Sequence, residues 1–157
     1  MSEERPTLIV SACLLGVACN HKGGSSPSEA VRALGVGHRL IPVCPEVSGG
    51  LSTPRPAAER GADGRVRTAE GADVTWFYER GAAHAVALAQ AASAAGAVLK
   101  ARSPSCGSHE IYDGCHRRTL VPGAGVTAAA LRDAGVVVCS EEDLGGSGPL
   151  PWETPGA

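Results

Sequence analysis

Four short runs rich in β-branched and aliphatic residues punctuate the chain: Thr7-Leu8-Ile9-Val10-Ser11-Ala12, Leu40-Ile41-Pro42-Val43, Ala97-Val98-Leu99-Lys100-Ala101-Arg102 and Val136-Val137-Val138-Cys139. Their length and their flanking Gly, Pro and Ser residues predict strands. Between them, apolar positions recur at helical spacing. Residues 28–34 predict a short helix opened by Ser28 and Glu29, 75–95 the longest helix, capped by Asp73 or Thr75, and 126–134 a third. A hairpin-like piece at 109–115 precedes a Pro-Gly turn at 122–123, and an acidic turn, Ser140-Glu141-Glu142-Asp143-Leu144, follows the last strand. Residues 45–68 show no period and are rich in Pro, Gly and Arg. They read as one long loop, of the kind that carries function in a compact domain. The Gly/Pro/Ser-rich stretch 145–157 reads as a flexible tail.

Strands alternating with helices define an α/β protein: a three-layer sandwich with a mostly parallel, Rossmann-like sheet and a site at the carboxyl edge of the strands. The chain of 157 residues suits a single domain over 1–144. With only 3% aromatic residues, the core must be built from Val, Leu, Ile and Ala, and a base-stacking platform for RNA is disfavoured. A net charge of -2 and a pI near 6.2 give no general attraction to large nucleic acids or anionic membranes. The acidic, polar start, Met-Ser-Glu-Glu-Arg-Pro, resembles neither a signal peptide nor an anchor, so the expected location is cytoplasmic. In that compartment six cysteines point to metal binding or chemistry more than to disulfides.

Three of them, Cys13, Cys44 and Cys106, stand just past a predicted strand in a loop, where an open sheet gathers ligands. The sequence has no C-x-x-C pair and no histidine-rich set, so the usual spacings of a zinc ribbon or thioredoxin-type centre are missing. A non-local trio of thiolates suits an iron-sulfur cubane whose fourth iron is open. Buried core cysteines, a zinc site with three cysteines and a water, and a non-catalytic binding or sulfur-transfer module are the competing readings. Glu46, two residues from Cys44, is a candidate general base. Ser103 and Ser105 place hydroxyls beside Cys106, while Arg55, Lys100 and Arg102 offer positive charge to thiolates or a phosphate. Cys139 ends a valine run and reads as a packed strand residue.

These motifs resemble those of the thiouracil desulfidases, a bacterial and archaeal family. The resemblance runs through Ser11-Ala12-Cys13-Leu14-Leu15-Gly16, Val43-Cys44-Pro45-Glu46-Val47-Ser48-Gly49-Gly50-Leu51 with Thr53-Pro54-Arg55, and Leu99-Lys100-Ala101-Arg102-Ser103-Pro104-Ser105-Cys106-Gly107. It continues through Ile111-Tyr112-Asp113-Gly114 and Gly125-Val126-Thr127-Ala128. It implies a 4Fe-4S cluster held by Cys13, Cys44 and Cys106 with one open iron site, Glu46 activating a water, and Ser103 assisting in positioning or proton transfer. The implied substrate is a small thiolated pyrimidine, from free thiouracil to 4-thiouridine monophosphate, whose sulfur is replaced by oxygen with release of hydrosulfide and no net redox change. Arg55, Lys100 and Ser105 are then the expected substrate-binding residues. One segment departs from the family pattern: Arg-Tyr-Asp-Gly usually follows the position of Cys19, and here it is Asn20-His21-Lys22-Gly23. Substrate preference is therefore the property expected to differ. Cys115 falls where no family ligand is expected.

Overall fold

The computed structural model describes residues 4–153. Four parallel strands form the central sheet: β1 (Thr7–Ser11), β2 (Arg39–Val43), β5 (Gly96–Leu99) and β8 (Val137–Ser140), in the order β2-β1-β5-β8. The alternation of side chains along a strand splits the core in two. Leu8 and Val10 face one way, onto Leu14, Val31 and Cys139; Ile9 faces the other, onto Ala89, Ala128 and Leu131. One layer is the long helix α3 (Thr75–Ala91) with α4 (Val126–Asp133), and the opposite layer is the short helix α1 (Glu29–Ala33) with 3-10 turns at Ala12–Leu15 and Glu141–Leu144. Pro42 is tolerated because β2 is an edge strand.

Local signals explain most boundaries. The Ser28 hydroxyl accepts the Val31 N–H at 3.3 Å, opening α1, and Asp73 Oδ1 accepts the Thr75 N–H at 3.0 Å at the start of α3. The acidic turn at 141–144 is a 3-10 helix closed by a Ser140/Asp143 capping box.

The structure departs from the sequence pattern in four places. The strand expected over 97–102 stops at Leu99, because Lys100 N–H donates to Ser11 Oγ (2.9 Å) and Ala101 N–H to Glu141 Oε1 (2.7 Å) instead of to a neighbouring strand. The helix expected to reach 95 ends at Ala91, where Ser93 takes φ 50° and Ala94 N–H closes back on the Ala89 carbonyl at 2.9 Å. The loop 45–68 holds a turn of helix, α2 (Pro45–Ser48), and an antiparallel hairpin of β3 (Ala58–Arg60) and β4 (Val66–Thr68), strands too short to show a period. The hairpin expected within 109–115 pairs β6 (Glu110–Tyr112) with β7 (Leu120–Pro122), so Pro122 ends a strand before the turn.

Within the stretch after 144, residues 145–149 are exposed and the next few residues pack. A 3-10 turn at Pro151–Glu153 lays Trp152 against the sheet, its Nε1–H donating to His38 Nε2 at 3.2 Å and its ring standing edge-on to the imidazole. Gly96 makes the room: a Cβ there would lie 3.1 Å from Trp152. Residues 154–157 of the expected tail lie outside the described residues.

Candidate active site

The carboxyl ends of β1, β2 and β5 open into one cavity of about 590 Å³, a size suited to a small ligand. Each strand delivers one cysteine. Cys13 follows β1 in the 3-10 turn Ala12–Leu15, Cys44 is the N-cap of α2 directly after β2, and Cys106 lies in the loop after β5. All three line the cavity, and so does Cys19, whose carbonyl is 3.7 Å from Cys44 Sγ. Among the described residues, no three His, Cys, Asp or Glu side chains converge closely enough to hold a single metal ion. The thiols ring a volume.

The Cys106 loop is held by α4. Gly125 N–H donates to the Gly107 carbonyl (2.8 Å), Val126 N–H to Pro104 (3.0 Å) and Thr127 N–H to Ser105 (2.8 Å), so the free donors of a helix start are satisfied by the loop. A Cβ at Gly125 would collide with the Ser105 backbone, which is why glycine stands there. Inside the loop, Ser103 Oγ accepts the N–H groups of Ser105 (3.1 Å) and Cys106 (3.0 Å), leaving its own O–H to donate into the cavity it lines.

Burial sets the protonation of Cys13, Cys19 and Cys106. It pushes the Cys13 thiol up, with the neighbouring Cys44 adding to the effect. It pushes Cys106 up to about 12 against an opposing hydrogen bond from Ser11, and Cys19, again with Cys44 adding, to about 12. Such thiols are neutral by themselves; a bound metal is what ionises a coordinating thiol.

Glu46 sits in the first turn of α2, whose Pro45 at N1 and exposed amide groups suit an acid there. Its Oε1 accepts two bonds, from Arg55 Nε at 3.0 Å and from the Tyr78 hydroxyl at 2.8 Å. The Arg55 side chain is 4% exposed and every one of its donors is engaged: beyond Glu46, Nη1 reaches Ser52 O (3.2 Å) and Thr53 Oγ1 (3.0 Å), and Nη2 reaches Cys19 O (2.8 Å) and Cys44 Sγ (3.9 Å). Burial disfavours its charge, yet the field and hydrogen bond of Glu46 raise its pKa above the ordinary value.

Two expected substrate-binding residues are therefore placed differently from the sequence expectation. Arg55 lines the cavity but staples three loops together and has no donor left for a ligand. Ser105 is fully buried and outside the cavity, its hydroxyl 2.8 Å from that of Thr127. Lys100 lines the cavity and is 3.3 Å from Glu141 Oε2; Arg102 forks onto Glu142 at 2.8 and 2.9 Å. Lys22 and Arg118 also line the cavity, and neither forms an ion pair among the described residues. Asn20 Oδ1 shapes the altered 20–23 segment by accepting the N–H groups of Lys22 (3.0 Å) and Gly24 (2.7 Å). Cys139 is 3% exposed in the core, and Cys115 is exposed. Sequence reasoning missed Tyr78 and Arg118; a tyrosine on a helix and an arginine in a turn carry no motif, and only the fold brings them to the site.

Fold and site together define an α/β protein with a cysteine-ringed, acid-bearing pocket at the carboxyl edge of a parallel sheet. Comparison with known proteins narrows that class. A family model described as 2-thiouracil desulfurase matches residues 8–143, and the chain belongs to that family. An uncharacterised protein of Bacillus subtilis (strain 168), YbbK, is 42% identical over 146 residues, covering 87% of this chain and 97% of its own length. A solved structure of a [4Fe-4S]-dependent thiouracil desulfidase, TudS, is similar with a TM-score of 0.84 and 45% identity, over 89% of this chain and 93% of that one. Among the described residues, no helix is long and apolar enough to cross a membrane.

Proposed function

We propose that this protein is an iron-sulfur-dependent desulfidase that converts the thiocarbonyl of a small thiolated pyrimidine to a carbonyl: water supplies the oxygen, sulfur leaves as hydrosulfide, and no electron is transferred overall. The observation that carries this reading is a carboxylate fixed by two hydrogen bonds in the wall of a cavity ringed by three strand-end cysteines. Cys13, Cys44 and Cys106 would hold a 4Fe-4S cluster. All three line one cavity, and burial keeps Cys13 and Cys106 neutral until a bound metal ionises them, which supports a soft metal group held among them. When bound, such a cluster supplies a soft Lewis acid for the substrate sulfur, which makes the adjacent ring carbon electrophilic.

The protein's own groups supply the rest. Glu46 accepts the proton of the attacking water, and general-base assistance of this kind contributes about 10²–10⁴-fold. The Ser103 hydroxyl, with its oxygen tied to two backbone N–H groups, has its proton free to donate to the substrate. The cavity cations favour a substrate with an anionic group. Arg55, Lys100 and Arg102 are neutralised by Glu46, Glu141 and Glu142, so the charges left in the lining are the cations of Lys22 and Arg118 against the carboxylate of Glu59, a net positive balance for a phosphate. This supports 4-thiouridine monophosphate over the free base, with Lys22 arising in the very segment that departs from the family pattern.

The test is anaerobic reconstitution with iron and sulfide, followed by the near-ultraviolet thiocarbonyl absorbance of 4-thiouridine monophosphate, 4-thiouridine and 2-thiouracil. Decay of the band with hydrosulfide release, fastest for the monophosphate, is expected. Glu46→Ala should keep the brown cluster and lose turnover; an active Glu46→Ala enzyme would remove the base. Lys22→Glu should raise KM for the monophosphate while leaving that for 2-thiouracil unchanged.

A further inference from the structure

The terminal torsion of a glutamate is broad and nearly two-fold, so nothing intrinsic to Glu46 decides which oxygen faces the cavity. Its neighbours decide. Oε1 receives both available hydrogen bonds, from Arg55 on one side and from Tyr78 on the other, whereas Oε2 receives none from any described residue. The tyrosine reaches Glu46 from behind, out of the core: Tyr78 is 1% exposed and does not line the cavity. Burial pushes its pKa far above the usual tyrosine value, with Glu46 adding to the effect, so the hydroxyl stays protonated as a donor.

The helix that carries Tyr78 is locked to the turn that carries Glu46. A Cβ at Gly81 would land on the Pro45 carbonyl oxygen, and a Cβ at Gly49 would land on that of Phe77. Tyr78 and Gly81 are three residues apart on α3 and share a face. Backbone contact through these two glycines sets the distance between α2 and α3, and the Tyr78 hydroxyl bridges what remains of it.

We infer that Tyr78 is a positioning residue for Glu46, pinning Oε1 so that Oε2 is the oxygen presented to the attacking water. The inference rests on the desulfidase reading and extends it to a residue outside the pocket. Without the tyrosine hydroxyl the carboxylate is held by Arg55 alone and can rotate, and misplacement of a reacting group by about 1 Å costs on the order of 10²-fold in rate.

The experiment compares Tyr78→Phe with wild type, both cluster-loaded anaerobically, with iron content and kcat and KM per cluster measured on 4-thiouridine monophosphate. The expected result is unchanged iron content, kcat lowered about 10–100-fold and KM within about twofold, because the phenyl ring preserves the packing and Tyr78 touches no ligand. Ala85→Gly serves as the comparison: it is a buried position on the same helix, about two turns beyond Tyr78, and loosens α3 by about 1 kcal/mol. It should keep wild-type kcat per cluster. Wild-type kcat in Tyr78→Phe, or an equal loss in Ala85→Gly, would overturn the inference. Thermal unfolding of Tyr78→Phe, Glu46→Gln and the double variant reads the contact without turnover, and strictly additive losses would overturn it as well. A loaded wild-type enzyme that turns over no thiolated pyrimidine would remove the desulfidase reading itself, and the role of Tyr78 with it, even where the pair remains coupled in unfolding.

Discussion

Replacing Arg55 by lysine separates two roles that the sequence alone leaves merged. If Arg55 gripped a substrate anion, lysine would keep the charge, leave stability alone and raise KM modestly. The structure predicts something else. The side chain is 4% exposed and its guanidinium joins Glu46, the Ser52 carbonyl, the Thr53 hydroxyl, the Cys19 carbonyl and Cys44 Sγ. An ammonium has three donors radiating from one point and cannot reach partners spread around a planar fork. Lysine reaches at most three of these five acceptors, and each of the part-buried ones on Glu46, Cys19 and Cys44 left unpaired costs about 1–3 kcal/mol. A net loss of about 3 kcal/mol lowers Tm by roughly 6–12 °C for a chain of this size. Because the same staple holds Glu46 and the Cys44 loop, kcat should fall together with stability. Thermal denaturation of the cluster-free protein measures the first effect, and turnover per cluster the second. A variant that melts with wild type and changes only KM for the phosphorylated substrate would refute the structural role and return Arg55 to the ligand.

Three further outcomes follow from other parts of the molecule. Cys44→Ala should lose the brown iron-sulfur absorbance after reconstitution while Cys139→Ala keeps it; loss in Cys139→Ala would mean that the wrong trio has been chosen. Asp73 is held well below the usual carboxylate range by hydrogen bonds from Thr75 and Arg65, so its contribution is fully present above about pH 4, the unfolded value, and is lost as the pH falls further toward the folded one. Asp73→Asn should therefore be less stable than wild type at pH 7 and show a shallower acid decline; parallel Tm-against-pH curves would remove this account. Trp152→Ala should cost about 1–3 kcal/mol through lost contact with the sheet and His38, and an unchanged melting curve would show that this turn is not docked.

The apolar runs determine the sheet and the main helices because a strand buried on both faces, such as Thr7–Ser11, must be apolar through its middle, and a covering helix must repeat its apolar face. Which loops follow the strands is legible for the same reason, which is why Cys13, Cys44 and Cys106 could be grouped without knowing any distance. The short elements α2, β3 and β4 are not legible, since three or four residues of mixed polarity span too few repeats to establish a pattern. Nor does the chain state what each polar group touches. Arg55 and Ser105 read as substrate contacts from their place beside the cysteines, and packing turns one into a staple and the other into a buried partner of Thr127. Tyr78 reads as an ordinary helix residue until Gly81 and Gly49 bring α3 against the Glu46 turn. Periodicity is local and survives in one dimension; hydrogen-bond partners around this carboxylate and its arginine lie as many as 36 positions apart, and only the closed fold selects among them.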